Sequence, residues 1–234
     1  KILLWGINEN KEFVENMCYN SVNSAKKYNI TIEYLGLGIK FKEHKQRLNI
    51  LKNYLPSLDP DTIVLCMDGS DTLFNSDSNL LLSKFMDKQT KIVISAEKNF
   101  TYQYSYYKDR FDSILSPYKY VNAGTFMGYA KNILEMINDM IEIDKKQSAN
   151  DQGLLGIWVY KNIDNIDLVK MDLKCDIFWV TTSDWKTIMN KSFSDNRVII
   201  NPFTKTRPCI IHYTGKGDNF LVKGYNKLYK LILQ

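Results

Sequence analysis

Thr62-Ile63-Val64-Leu65-Cys66-Met67-Asp68-Gly69-Ser70-Asp71 is an apolar run that ends on two carboxylates. From Ile63 to Met67 no polar residue alternates with the apolar ones, so the segment reads as a fully buried strand. Asp68 and Asp71 stand three residues apart at its exit. Hard oxygen ligands of this kind suit magnesium or manganese, which usually keep positions open for substrate phosphates. The pair therefore points toward an enzyme that handles a phosphorylated donor. Alone the signal is weak, because Asp and Gly are also ordinary turn residues.

Upstream, Ile2-Leu3-Leu4-Trp5-Gly6-Ile7 is a second continuous apolar run. Glu12 to Tyr28 then reads as a helix, with Val14, Met17, Ser21, Val22, Ala25 and Tyr28 at helical spacing and Lys26 and Lys27 in its last turn. Thr31 to Leu35 is the next strand, closed by Gly36-Leu37-Gly38, and His44 to Leu55 is a helix ended by Pro56. This β-α-β-α-β opening predicts a mostly parallel sheet with helices on its faces. Ligands of open α/β sheets bind beyond the carboxyl ends of strands. Asp68, Asp71 and Asn8 all fall at such ends.

Downstream, a short helix from Asn79 to Asp87 precedes the strand Lys91-Ile92-Val93-Ile94-Ser95, which runs into Ala96-Glu97. Phe100 to Phe111 is rich in Tyr and lacks a clean period, so it reads as a loop with one helical turn, a cleft wall. Asn122-Ala123-Gly124 reads as a turn that introduces a strand from Thr125 to Tyr129. Helices follow from Lys131 to Asp144 and from Asp151 to Tyr160. Short strands are expected near Leu168, Ile177–Val180, Val198–Ile200 and Ile210–Ile211, and a last helix spans Lys223 to Leu233. No repeat or linker divides the chain, so residues 1–234 are read as one domain.

The composition narrows the function. Of 234 residues, 44% are hydrophobic and 24% charged, as in ordinary globular chains. The net charge of +5 comes without a dense Lys/Arg block, which leaves no nucleic-acid footprint. Cys18, Cys66, Cys175 and Cys209 form no C-x-x-C pair, and with two His in the chain a zinc site is not expected. No run approaches the ~18 apolar residues of a membrane span, and no leader is legible.

Further candidates join the carboxylates. His212, at the end of a late strand, offers a neutral imidazole that would complete a manganese site. Thr214-Gly215-Lys216-Gly217 places two glycines around a lysine, so backbone N–H groups and an ammonium can meet phosphate oxygens. Asn122 lies in a polar turn, and Asn150-Asp151-Gln152 begins a helix where Asn or Asp would also serve simply as a cap. Glu97 follows a strand end. Each has an ordinary structural explanation when taken alone.

Together, and in this order, they resemble the metal-dependent nucleotide-sugar glycosyltransferases of the GT-A fold. They are most similar to the glycosyltransferase domain of procollagen lysyl hydroxylases and related collagen-modifying transferases. The similarity runs from Ile2 to about Tyr225. Tyr34-Leu35-Gly36-Leu37-Gly38 resembles the family's second strand, and Lys45-Gln46-Arg47-Leu48 its Q-K-x-R-x helix start in altered order. Asp68-Gly69-Ser70-Asp71 is a D-x-x-D metal motif and Ile94-Ser95-Ala96-Glu97 is similar to F-S-A-E. Tyr120 to Ala130 resembles L-N-S-G-G-F-I-G-x-A. Asp151-Gln152 resembles D-D-Q with Asn150 in the first place, and His212-Tyr213-Thr214-Gly215 the terminal H-G-N-G-P-T-K.

The resemblance implies a Rossmann-like GT-A fold: an α/β architecture with a mixed, mostly parallel central sheet and helices on both faces. It implies Mn2+ held by Asp68, Asp71 and His212. A UDP-sugar donor would be bound by Gly6, Ile7, Asn8, Arg47, Asp68, Ser70, Gly215 and Lys216. Asp151, Asn122 and Glu97 would face the sugar and acceptor, with Asp151 either orienting the acceptor hydroxyl or stabilising an oxocarbenium-like centre. The transferred hexose would be glucose or galactose, and the acceptor collagen-like hydroxylysine or its galactosyl derivative. A lysyl hydroxylase domain, in the same chain or another, is the implied partner. The family implies the endoplasmic reticulum lumen, while the Asn-, Ile- and Lys-rich composition equally fits a viral or protist protein in the cytoplasm.

Departures are legible too. The family's Trp- and Gly-rich segment before the second helix is shortened to Ile39-Lys40-Phe41-Lys42, and the Cys-Trp-Pro loop after F-S-A-E is replaced by a Tyr-rich stretch. They bear on the choice of donor and acceptor. Three rivals remain open on the residues alone: an inactive UDP-sugar-binding module, a transferase for another glycan, and a metal-dependent phosphohydrolase.

Overall fold

Alternate residues of the central strands pack into two different cores, which is the reason helices cover both faces. In the computed structural model, which describes residues 1–100, 107–181, 184, 187–188, 198–214 and 219–233, β1 spans Ile2–Asn8, β2 Glu33–Leu37 and β3 Ile63–Asp68. After β4 (Thr72–Phe74) come β5 (Ile92–Glu97), β6 (Tyr120–Tyr129) and β7 (Val169–Met171). Leu3, Trp5, Val64, Cys66, Ile92 and Ile94 belong to one core. Leu4, Leu65, Met67 and Val93, the intervening residues, belong to the other. This is the two-residue side-chain period of a strand buried on both sides.

Helices α3 (Gln46–Tyr54), α6 (Ala130–Lys146) and α7 (Asp151–Asn162) supply Leu48, Leu51, Ile133, Ile137 and Leu155 to the first core. Helices α1 (Lys11–Met17), α2 (Tyr19–Lys27) and α4 (Ser78–Asp87) supply Val14, Ala25, Leu81 and Phe85 to the second. Between α4 and α6 lies the short α5 (Lys108–Asp112).

The six-stranded sheet has the order β2-β1-β3-β6-β5-β7. β1 pairs in parallel with β2 and β3, and β5 with β7, while β6 runs antiparallel to both of its neighbours. The sheet is therefore mixed, as expected. A second sheet, β4-β9-β8, is built from β4 with β8 (Phe178–Val180) and β9 (Ile210–His212). The C-terminal helix α8 (Asn219–Leu233) lays Tyr225, Leu228 and Ile232 on it beside Leu73, Trp179 and Ile211.

Several expectations are corrected. Asn122-Ala123-Gly124 is no turn but lies inside β6, buried throughout. The single helix expected from Glu12 to Tyr28 is two, joined at Cys18. Cys18 is fully buried, and its junction packs beside Gly69 of the aspartate loop. Val198–Ile200 forms no strand: Ile199 is tied instead by its N–H to Asn75 Oδ1 at 3.0 Å. β4 was not anticipated, because three residues directly after a turn carry no readable period. Part of the Tyr-rich stretch after Phe100, together with Gly215 and Lys216, lies outside the described residues.

All four cysteines are buried and free, so no disulfide contributes.

Candidate active site

The second sheet is what brings His212 to the aspartates. Asp68 ends β3, where it lies opposite Trp5 of β1. The chain then turns through Gly69 and Ser70. A Cβ at Gly69 would lie 2.3 Å from the Trp5 carbonyl oxygen and 2.5 Å from Cys18 Sγ, so only glycine lets the loop pack this closely. Helix α2 fastens the loop from below: Ser21 Oγ lies 2.6 and 2.7 Å from the carbonyl oxygens of Gly69 and Thr72 and shares its one proton between them. β4 pairs antiparallel with β9 in a register that sets Thr72 opposite His212, and the Tyr213 N–H donates to Asp71 O at 2.7 Å. Two short strands thus fix a histidine more than a hundred residues away against the D-x-x-D turn.

Ligand atoms of Asp68, Asp71 and His212 lie within 4.8 Å of one another. His212 Nε2 is 3.4 Å from Asp68 Oδ2 and 3.6 Å from Asp71 Oδ1. Nε2 is buried and faces the two carboxylates at ion-pair distance without a hydrogen bond of good geometry to either. Burial works against charge on the His212 ring, but Asp71, followed by Asp68, overrides it and raises the imidazole to about 10. Burial would likewise push Asp68 up. The Arg47 guanidinium, then His212, outweighs it and holds that carboxyl at about 2. Two carboxylates and a buried imidazole nitrogen that converge in this way fit a manganese-type divalent cation.

Gly124 of β6 forms the floor. A Cβ there would lie 2.0 Å from His212 Cε1 and 2.7 Å from Asp68 Oδ2. Asn122, two residues earlier on the same face, accepts at Oδ1 from the Gly124 N–H at 2.9 Å and pairs with His212 Nδ1 at 3.1 Å. Its Nδ2 donates to Glu97 Oε1 at 3.1 Å, as does Gln152 Nε2. Glu97, at the end of β5, is 3% exposed, so it is a buried carboxylate holding two amides.

Asp151 opens α7, whose N-cap Asn150 accepts from the Gly153 N–H at 2.8 Å. Arg47, in the first turn of α3, bridges the two sides. Nη2 is 2.5 Å from Asp68 Oδ1, Nη1 is 3.3 Å from Asp151 Oδ2, and the guanidinium lies 5.3 Å from the Trp5 ring centroid.

Two clefts meet at this cluster, sharing His44, Arg47, Asp68 and Asp71. One, of about 480 Å3, is polar in its residues and holds Glu97, Asn122, Asp151, Gln152 and Thr214. The other, of about 430 Å3, is lined by Trp5, Ile7, Asn8, Phe13, Phe41 and Ser70. Ile7, Asn8, Ser70 and Arg47, expected at a donor site, all line this second cleft. Gly6 does not line either cleft: a Cβ there would lie 2.5 Å from Val14 Cγ1, so Gly6 seats α1 on the sheet. Gln152 is legible beside Asp151 in the D-Q pair, whereas Phe13 and His44, which also line the clefts, carry no sequence signal that separates them from surface residues.

A model of the PLOD GT domain matches residues 15–229. The chain belongs to the PLOD GT domain family. Among curated relatives, it is 27% identical over 228 residues to a procollagen-lysine,2-oxoglutarate 5-dioxygenase of Drosophila melanogaster, covering 88% of this chain and 30% of that protein. It is 28% identical over 187 residues to an uncharacterized protein of Acanthamoeba polyphaga mimivirus, covering 77% of this chain and 38% of the other. A multifunctional procollagen lysine hydroxylase and glycosyltransferase of Caenorhabditis elegans is 24% identical over 228 residues, covering 86% of this chain and 29% of that protein. The chain thus spans about a third of the length of these relatives.

Solved structures share the fold. A galactosyltransferase, LgtC, determined with donor and acceptor sugar analogs, has a TM-score of 0.56 at 13% identity, covering 99% of this chain and 95% of that one. A glycosyltransferase involved in glycosylation of the major capsid of PBCV-1 has a TM-score of 0.55 at 11% identity, covering 97% and 98%. The PLOD GT chain described here is a GT-A glycosyltransferase domain. No helix among its described residues is long and apolar enough to cross a membrane.

Proposed function

We propose that this PLOD GT domain moves glucose or galactose from a UDP-sugar to a hydroxyl acceptor, with Mn2+ held by Asp68, Asp71 and His212. The observation that carries the reading is the convergence of these three ligands at the junction of the two clefts. When bound, Mn2+ supplies positive charge that stabilises the diphosphate of UDP as it leaves.

The rest falls to the chain's own side chains. The apolar cleft with Trp5, Ile7, Phe13 and Phe41 suits a flat nucleobase, while Asn8 offers polar contacts beside it. Ser70 and Arg47 flank the diphosphate position, and Arg47 adds a fixed cation there. Gly215 and Lys216, which follow Thr214 in the sequence, are the remaining candidates for phosphate contacts. The polar cleft receives the sugar and acceptor. Asp151 lies in it with one carboxylate oxygen turned to Arg47 and the other accepting its neighbour Gln152 N–H at 3.0 Å.

By family, the acceptor is collagen-like hydroxylysine or galactosylhydroxylysine, and a lysyl hydroxylase domain would supply it. The named relatives are procollagen-modifying proteins, which supports that class, and the mimivirus relative fits a viral setting equally well as a cellular lumen.

A donor screen tests the reading. UDP release is followed with Mn2+ across several UDP-sugars, with and without hydroxylysine-bearing collagen peptides. UDP-glucose or UDP-galactose should give acceptor-dependent release, and Asp71→Ala should reduce it by at least a hundredfold. Full activity in Asp71→Ala would contradict the metal assignment. Release of free sugar that no acceptor alters would favour a hydrolase.

A further inference from the structure

Resting on the metal reading above, we infer that Asn122 and Glu97 do not act on the sugar but set the histidine ligand: Glu97 orients the Asn122 amide, and Asn122 selects the His212 tautomer that leaves Nε2 bare toward the metal.

An imidazole can ligate a metal only through an unprotonated nitrogen, so the proton of a neutral ring must sit on the other one. Which nitrogen carries it is decided by the partner of that second nitrogen. In this protein the partner of Nδ1 is the side chain of Asn122, 3.1 Å away. An amide is ambiguous, because its oxygen accepts and its nitrogen donates. Turned one way it would accept the Nδ1 proton. Turned the other way it would donate to Nδ1, drive the proton to Nε2 and close the ring to the metal.

Two neighbours remove the ambiguity. Glu97 is a carboxylate that here accepts, and it faces the Asn122 Nδ2 at 3.1 Å. The Gly124 N–H can only donate, and it faces the Asn122 Oδ1 at 2.9 Å. Flipping the amide would set nitrogen against the Gly124 N–H and oxygen against the carboxylate, which costs both hydrogen bonds in a buried place. Glu97 is itself fixed by a second amide, Gln152 Nε2, at 3.1 Å. The line Glu97–Asn122–His212 thus runs from the end of β5 through β6 to the end of β9, and every step has one sense. It also explains why Asn122 and Glu97 are buried, at 5% and 3% exposure, although both reach the cleft wall.

The inference predicts metal affinity rather than turnover. Mn2+ binding is measured on the metal-free protein without donor or acceptor, for wild type, Asn122→Ala and the double variant Asn122→Asp with Glu97→Gln. Removing the acceptor in Asn122→Ala should weaken Mn2+ about 10- to 100-fold, the usual effect of deleting a ligand's hydrogen-bond partner. The double variant keeps an acceptor for the Nδ1 proton and exchanges donor and acceptor across the former Asn122–Glu97 hydrogen bond, so it should restore affinity to within about threefold of wild type.

A reading of the wild type alone is independent of how the variants fold. The chain has two His, His44 and His212. Side-chain 15N spectra of the wild type loaded with diamagnetic Cd2+ should therefore show one metal-bound ring protonated at Nδ1. Wild-type affinity in Asn122→Ala, or a double variant Asn122→Asp with Glu97→Gln as weak as Asn122→Ala, would overturn the inference, as would a metal-bound ring protonated at Nε2. Should the wild type itself bind no Mn2+, the metal reading falls and the relay with it, an outcome distinct from a metal site indifferent to Asn122.

Discussion

Gly124 is the position where a single added carbon does the most harm. Its φ is unremarkable, so the constraint is space and not strain: a methyl would intrude on His212 Cε1 at 2.0 Å and on Asp68 Oδ2 at 2.7 Å. A Cβ added at Gly128, on the same strand, would lie 2.7 Å from the Lys91 carbonyl oxygen, away from the metal ligands. The two alanine variants should therefore separate. Gly124→Ala should cost more than tenfold in Mn2+ affinity by pushing His212 off Asp68. Gly128→Ala should cost about 1–3 kcal/mol of stability from overpacking and leave the Kd for Mn2+ within twofold. Titration calorimetry and thermal melts on both variants check this. An unchanged Kd in Gly124→Ala would mean that His212 is not a ligand.

Among elements, α7 forms the side of the polar cleft proposed to receive the acceptor. Its first turn holds Asp151 and Gln152, and Asn150 caps it through the Gly153 N–H at 2.8 Å. Asn150→Ala should lower stability by about 1 kcal/mol, which for a chain of this size is a fall in Tm of about 2–4 °C. Since the cap also fixes the direction of Asp151, KM for the acceptor should rise more than KM for the donor. Equal effects on both would place Asp151 elsewhere than at the acceptor.

The same scale shows why some of the architecture was readable and some was not. β1, β3 and β5 announce themselves as unbroken apolar runs because both faces are buried. Asp68, Asp71 and Asp151 stand directly after or at the start of such elements, where turn chemistry and helix caps leave clear marks. β6 misled at Asn122-Ala123-Gly124. Small and polar residues there look like a turn, yet they line the floor of a site that needs Gly124 for clearance and Asn122 for its hydrogen bonds. β4 is three residues directly after a turn, too short for any period. The late strand at Ile210–Ile211 and His212 at its end are legible, but the β4–β9 pairing that sets His212 against the aspartates is not.

Across the whole molecule, the two cores on either face of the sheet and the third under α8 bury all four thiols. Burial pushes the Cys66, Cys175 and Cys209 thiols above their ordinary range, which removes the reactive thiolate. In the native protein none of the four should react with a polar disulfide reagent within an hour. All four should become reactive together over one denaturant transition if residues 1–234 fold as the single domain proposed. Two separated steps of thiol exposure would contradict that unit.

Crystals soaked in Mn2+ and UDP, with anomalous diffraction collected at the manganese edge, test the proposed metal site at the junction of the two clefts. One strong anomalous peak is expected in contact with Asp68, Asp71 and His212 Nε2, and with the diphosphate of a UDP whose base lies in the cleft of Trp5, Phe13 and Phe41. UDP bound without manganese at that trio, or manganese bound elsewhere, would contradict it.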